Sequence, residues 1–295
     1  MLLREDNQNP AIRSHRLEDV LREMNWKGRL AALDQEMAKL GMSGVVFKGG
    51  AAIYGLYEVV GIRPLSDVDL WISSPDLEPT ANLLQQLGYA RASGQPGNFT
   101  DAGWSIDLHA SPLHQLDPGF VLDLKRYFTE SQPLFPNACA LRRLRPEHEF
   151  VVTLLHATKH AFNRTIWLVD LMLQMQRIAL DELVGIVEES GATRCLEYAC
   201  LLLERRFGYR VHLTARPRLN AIELAYVHGC SSGQAPAWLG MLIPVFSIHG
   251  FRKRCAYFRK ALFPDGVTVQ RLSRLLDLTR TALTYLTAGW GRRPS

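Results

Sequence analysis

Apolar residues recur at helical spacing from Arg16 to Leu40: Leu17, Val20, Leu21 and Met24, then Leu30, Leu33, Met37 and Leu40. The pattern predicts two helices divided at Gly28, or one helix kinked there, with Gly41 placed to cap the end. The residues before it are polar and read as loosely ordered. Gly44 to Phe47 is a continuous apolar run and predicts a short buried strand. It leads into the turn Lys48-Gly49-Gly50. Ala51 to Val60 then sets Ile53, Leu56, Tyr57 and Val60 on one helical face, stopped by Gly61, and Ile62 to Leu65 forms a loop. Here the period changes to two. From Asp67 to Ile72, Val68, Leu70 and Ile72 face one way while Asp67, Asp69 and Trp71 face the other. Pro75 and Asp76 open a helix carrying Leu83, Leu84 and Leu87, closed by Gly88. Asn98-Phe99-Thr100 and Trp104 to His109, joined through Asp101 to Gly103, predict a hairpin. Its second strand turns Ile106 and Leu108 to one side and Ser105, Asp107 and His109 to the other.

Beyond Pro112 the character shifts. Pro133, Pro136 and Pro146 mark a connecting region in which Leu134, Leu141 and Leu144 suit a further strand or short helices. From Glu147 the patterning is helical: a helix led by Phe150, Val151, Leu154 and Leu155, then Ile166 to Ile178, Leu180 to Glu189, Arg194 to Phe207, Ile222 to Gly229 and Leu272 to Leu286. The expected architecture is α+β (mixed α/β). Residues 1–40 form N-terminal helices, 41–145 a compact strand-and-helix domain, and 146–295 an all-helical domain.

Composition narrows the setting. The 295 residues are 47% apolar and 21% charged, which suits folded cores without long disorder. A net charge of +5, spread over short clusters such as Arg142-Arg143 and Arg252 to Arg254, permits a nucleotide partner without arguing for nucleic acid. The five cysteines have an odd count and no CxxC spacing, so they favour a reducing cytoplasm over a disulfide framework or a zinc knuckle. Neither a signal peptide nor an apolar run of about 18 residues is present, so no membrane partner is expected. The most apolar stretch, Ala237 to Phe251, holds Pro244 and His249 and reads as a buried helix pair or turn.

The candidate chemistry lies where the period changes. Asp67 and Asp69 point to one face, roughly 6–7 Å apart at about 3.3 Å of rise per residue. Two carboxylates so close repel unless a cation lies between them, and Mg²⁺ prefers such oxygen ligands, completed by substrate phosphates. By itself an Asp-x-Asp is more often the solvent face of an edge strand. Asp107, on a later alternating strand beside His109, adds a third carboxylate and suits a two-metal phosphoryl-transfer site. Gly49-Gly50 allows close approach of an anion to backbone. Lys48 and Arg63 are candidate triphosphate ligands or plain surface cations. The turn is not a P-loop, because no GxxxxGK[ST] occurs.

The segments Phe47-Lys48-Gly49-Gly50, Arg63-Pro64-Leu65-Ser66-Asp67-Val68-Asp69-Leu70, Leu87-Gly88-Tyr89 and Asp107-Leu108-His109 occur in order. Together they resemble the DNA polymerase β-type nucleotidyltransferases. More narrowly, they resemble a bacterial, largely uncharacterised nucleotidyltransferase family whose helical half carries an H-x-x-x-H helix before W-x-x-D, matched by His156, His160, Trp167 and Asp170. The resemblance spans about residues 40 to 180. It implies Mg²⁺-dependent transfer of a nucleoside monophosphate from an NTP, ATP included, to an unidentified acceptor, with Mn²⁺ as the alternative ion. Asp67, Asp69 and Asp107 would be the catalytic metal ligands. Lys48, Gly49, Gly50 and Ser66 would bind the triphosphate, and Arg63 would offset transition-state charge. His156, Lys159 and His160, with Arg164, would face phosphates or acceptor across an interdomain cleft. The alternative for the histidines is hydrogen bonding between helices. Zinc hydrolysis of the HExxH type is excluded by Ala157. Trp167 and Asp170 read as structural, the latter as partner to a cation or helix end. The favoured acceptor class is a small molecule, peptide or glycan precursor. The alternatives are RNA, as in toxin-like enzymes, or a non-catalytic nucleotide-binding protein.

Overall fold

A computed structural model describes residues 10–93, 97–112, 119–211, 219–233, 235, 239, 243–248 and 250–262. The predicted helix at Leu272 to Leu286 lies outside them, as does part of the Ala237 to Phe251 stretch. The described chain is a mixed α/β fold with a seven-stranded mixed sheet and ten α-helices, as the pattern predicts. It divides into two compact units: Met1–His114 with Leu122–Leu154 and Arg164–Ser190, and Gln115–Val121 with Leu155–Asn163 and Gly191–Ser295.

The first unit is built on the sheet. In chain order the elements are α1 (Pro10–Lys39), β1 (Gly44–Phe47), α2 (Gly49–Ala52), β2 (Val68–Ile72), α3 (Leu77–Gln86), β3 (Ala90–Arg91), β4 (Asn98–Asp101) and β5 (Trp104–His109). There follow α4 (Leu124–Thr129), β6 (Gln132–Pro133), β7 (Leu141–Arg143), the first part of α5 (Pro146–Lys159), α6 (Thr165–Met175) and α7 (Leu180–Glu189). The strands lie in the order β3-β4-β5-β2-β1-β7-β6. β1 is antiparallel to β2 and parallel to β7, and β2 is parallel to β5. Val46, Val68, Leu70, Ile72, Phe99 and Ile106 fill one core with Trp26, Leu30, Leu33 and Met37 of α1.

α1 runs through Gly28 without a break. That glycine is exposed, whereas Trp26, Leu30, Leu33 and Met37 keep one buried stripe across it. The helix ends as predicted at Gly41. The Met42 N–H reaches Met37 O at 3.0 Å, the Gly41 N–H reaches Ala38 O at 3.1 Å, and Gly41 has φ +65°. One buried carboxylate ties α1 to the start of β7: Asp34 accepts the N–H groups of Cys139, Ala140 and Leu141, the last two at 2.8 and 2.6 Å. Asp34→Asn keeps an acceptor but removes the charge that strengthens these bonds, and is expected to lower unfolding free energy by about 1–2 kcal/mol in urea titration.

The predicted helix over Ala51 to Val60 is corrected to a single turn. α2 stops at Ala52, and the chain beyond it forms turns. The carbonyls that a continuing helix would use are taken by arginines: Arg177 donates to Gly55 O and, at 2.7 Å, to Leu56 O. The Tyr57 hydroxyl donates to Asp170 at 2.5 Å. The hairpin β4–β5 has its two-residue loop at Ala102 (φ +44°) and Gly103 (φ +86°), the paired positive φ angles that match strand twist.

The second unit is helical among its described residues. It holds the end of α5, then α8 (Thr193–Phe207), α9 (Ala221–Ser231) and α10 (Phe251–Leu262). Tyr198 and Tyr226 meet edge to face with ring centroids 5.4 Å apart, and the Tyr226 hydroxyl donates to Thr158 O at 3.0 Å. Asn220 and Glu223 form a capping box that starts α9. No helix among the described residues is long and apolar enough to cross a membrane.

Candidate active site

Sheet register assembles the site. In the parallel pair β2–β5, Asp69 lies opposite Asp107 and Trp71 opposite His109. Because both strands alternate, the apolar positions 68, 70, 106 and 108 turn inward and the carboxylates share the other face. Ligand atoms of Asp69, Asp107 and His109 all lie within 4.8 Å of one another. Asp69 Oδ1 receives Lys48 Nζ at 2.8 Å and stands 2.9 Å from His109 Nε2. Asn98, from the neighbouring strand β4, donates its amide to Asp107.

The two carboxylates differ electrostatically. Burial would raise Asp69, but the charge of Lys48 and the His109 hydrogen bond overcome it and hold that carboxyl well below the usual range. Asp107 is raised, first by burial and then by the negative charges of Asp69 and Asp67, against the Asn98 hydrogen bond.

The turn that brings Lys48 here is built under strain. Lys48 has φ +55° and ψ −132°, a conformation of order 1–3 kcal/mol for a side-chain-bearing residue. Its N–H donates to Glu149 Oε1 at 2.5 Å, which fixes the turn from below. Gly49 and Gly50 are required by space. A Cβ at Gly49 would stand 2.7 Å from Arg63 Nη1, and one at Gly50 2.8 Å from Val46 Cγ1.

A family model described as "Uncharacterised nucleotidyltransferase" matches residues 5–208. The chain belongs to that family. Neither a curated protein nor a solved structure gives a match.

Within this member of the family the expected site residues fall into four groups. Lys48, Asp69 and Asp107 come together, with Gly49 and Gly50 forming the turn. Asp67 sits one residue before the first ladder pair of β2 and accepts the Ser66 hydroxyl at 2.5 Å. It acts on Asp107 and Arg63 through charge, and its oxygens are outside the three-ligand group. Arg63 departs from its expected place at the triphosphate. Its guanidinium is buried and committed, with Nη2 on Asp170 at 2.8 Å and Nη1 on Pro64 O at 2.8 Å. The packing of Gly49 against Nη1 makes it a strut beneath the turn. Asp170, expected as partner to a cation or helix end, is partner to this cation. His156, Lys159 and His160 lie in the second unit, half-buried, with the two imidazole centroids 4.6 Å apart.

Sequence reasoning missed Glu149. In α5 it shares a face with Thr153 and His156, a polar sector by sequence, and only the fold buries it. Burial pushes Glu149 up to about 7 from an ordinary 4.5, against the Lys48 N–H and the Lys48 charge. The folded chain therefore keeps a proton that the unfolded chain releases as pH rises from 4.5 to 7. This group's stabilising contribution is full below the unfolded value and lost across that window. Thermal melts of Glu149→Gln against the parent are expected to show a flatter pH dependence over that range. The parallel slope from Glu197, also raised to about 7 by burial, persists in both proteins and cancels in the difference.

Proposed function

We propose that this chain transfers a nucleoside monophosphate from an NTP to a hydroxyl or phosphate oxygen of a small-molecule, peptide or glycan-precursor acceptor. The observation that carries the reading is the in-register pairing of Asp69 with Asp107, beside the Lys48-Gly49-Gly50 turn, in a chain of nucleotidyltransferase family. The acceptor oxygen attacks the α-phosphorus, the bond from that phosphorus to the bridging oxygen breaks, and pyrophosphate leaves. In this reading Asp107 receives the acceptor's proton. Lys48, already 2.8 Å from Asp69, offers its ammonium to the triphosphate, with Gly49, Gly50 and Ser66 shaping the turn and its approach.

The donor set fits a divalent ion. Asp69 and Asp107 supply the hard oxygens that suit Mg²⁺ or Mn²⁺, His109 admits a borderline ion, and Asp67 adds a carboxylate at the rim. Such an ion would neutralise triphosphate charge and ease deprotonation of the attacking oxygen.

The test is incubation of the protein with each α-labelled NTP, a divalent ion and cell extract, followed by identification of the labelled product. Label on a small molecule, peptide or glycan precursor is the expected result. Label in RNA would move the acceptor to nucleic acid, and no label with any NTP would remove the transfer reaction.

A further inference from the structure

β1 and β7 run parallel, with Val46 opposite Arg143, so both leave the sheet at the same end. From there β1 passes into Lys48 and α2, and β7 passes through Leu144 and Arg145 into α5. The shared end is what sets Glu149, in the first turn of α5, beneath Lys48. Lys48 stands one residue past Phe47, the last β1 position paired with β2, so the ladder no longer fixes it. Its carbonyl accepts the Ala52 N–H at 2.9 Å, and its own N–H goes to Glu149 Oε1 at 2.5 Å. Its ammonium meets Asp69 at 2.8 Å and lies 4.8 Å from the Phe47 ring centroid.

Positive φ is a glycine's conformation, and Gly49 and Gly50 follow at once, yet position 48 carries a lysine. A residue at φ +55° that needs its side chain must be held there from outside, and such held outliers gather where a side chain has to be aimed. Glu149 is the hold. It is 8% exposed, and Phe150, Val151 and Val152 beside it are buried, so the packing of α5 fixes the carboxyl. Thr153, one turn on, directs its hydroxyl to the same oxygen at 3.5 Å. Oε1 accepts the N–H whether or not the group carries its proton, because the carbonyl oxygen of a neutral carboxyl keeps its lone pairs. With the N–H released, φ relaxes toward the ordinary negative range and takes the ammonium off its line.

We propose that Glu149 is a positioning residue for nucleotide binding: through the Lys48 backbone it aims the Lys48 ammonium at the triphosphate. This rests on the reading of Lys48 as a triphosphate ligand, and adds to it the residue that makes that ligand effective. Glu149 itself touches neither nucleotide nor metal ion, and its effect passes through Lys48. A residue that only joined α5 to the sheet would weaken the fold and leave the lysine's contribution intact, so a double-mutant cycle separates the two roles.

The experiment is calorimetric titration of the full chain, in Mg²⁺, with the α,β-methylene analogues of ATP, GTP, CTP and UTP, which bind without transferring. The tightest analogue is then carried through the variants. Glu149→Met removes the acceptor and is expected to weaken that analogue about tenfold. Glu149→Asp keeps the charge but falls one methylene short, and is expected to weaken it as much. Glu149→Gln offers an oxygen at the same reach and is expected to stay within about twofold of the parent. In a Lys48→Met background, itself about tenfold weaker, adding Glu149→Met or Glu149→Asp is expected to cost nothing more. Circular dichroism checks that each variant is folded, and Glu149→Asp completes the cycle if Glu149→Met does not fold. Parent-like affinity in both Glu149→Met and Glu149→Asp, a Glu149→Gln as weak as they are, or full additivity with Lys48→Met would overturn the proposal and leave the transfer reading standing. Absence of saturable binding of any analogue by the parent, or parent-like binding by Lys48→Met, would remove the triphosphate role of Lys48 and the proposal together.

Discussion

Asp69→Asn is expected to give a folded protein whose nucleotide transfer falls by on the order of 10³-fold or more, the scale of losing a pre-organised charge at a reacting centre. Asparagine keeps the shape and still accepts hydrogen bonds, so Lys48 and His109 retain a partner at this position. What disappears is the anion that Lys48 and His109 hold ionised. Asp107→Asn is expected to do the same from the adjoining strand, where Asn98 already fixes the side chain. Single-turnover transfer from an α-labelled NTP, with a thermal melt on each sample, separates loss of chemistry from loss of fold. Parent-like rates in both variants would sink the assignment of this face as the reaction centre. Asp67→Asn, measured alongside, reports whether the carboxylate at the rim belongs with the other two.

Asp170→Ala is expected to be the most damaging change to stability, lowering it by about 3–5 kcal/mol, because it leaves the buried Arg63 charge without its partner. The two side chains are 8% and 4% exposed, and Arg63 meets Asp170 through both Nη2 and Nε. The Tyr57 hydroxyl loses its acceptor as well. Against an ordinary total of about 5–15 kcal/mol, such a loss brings unfolding near working temperatures. Chemical denaturation measures it. Arg63→Lys distinguishes the strut from a triphosphate ligand. A strut predicts a lower melting temperature with little change in KM for the NTP, and a ligand predicts the reverse.

Where the chain alternates strictly, sequence was enough. β2 and β5 show their inward and outward faces in the letters, because a period of two leaves one register compatible with a buried face. The shared face of Asp69 and Asp107 followed from that, and α7 occupies the span its pattern predicts. The failures have physical causes. The Ala51 to Val60 face is helical by period, yet Arg177 and Asp170, more than a hundred positions later, recruit its carbonyls and its tyrosine. β7 is three residues long with two arginines, so only its pairing with β1 and β6 makes it a strand. The burial of Arg63 depends on the same distant aspartate. Long-range polar pairs leave no periodic trace.

The pairing of β2 with β5 has a consequence for how the family can vary. The separation of Asp69 and Asp107 is set by the ladder and not by the length of chain between them. Extra residues in the turns that join α3 to the hairpin alter contour length alone, and the two carboxylates keep their neighbourhood. A single residue inserted within β5 changes parity. It would carry Ile106 and Leu108 to the polar face and send Asp107 and His109 into the core, so one added residue inside the strand does what many in the loop cannot.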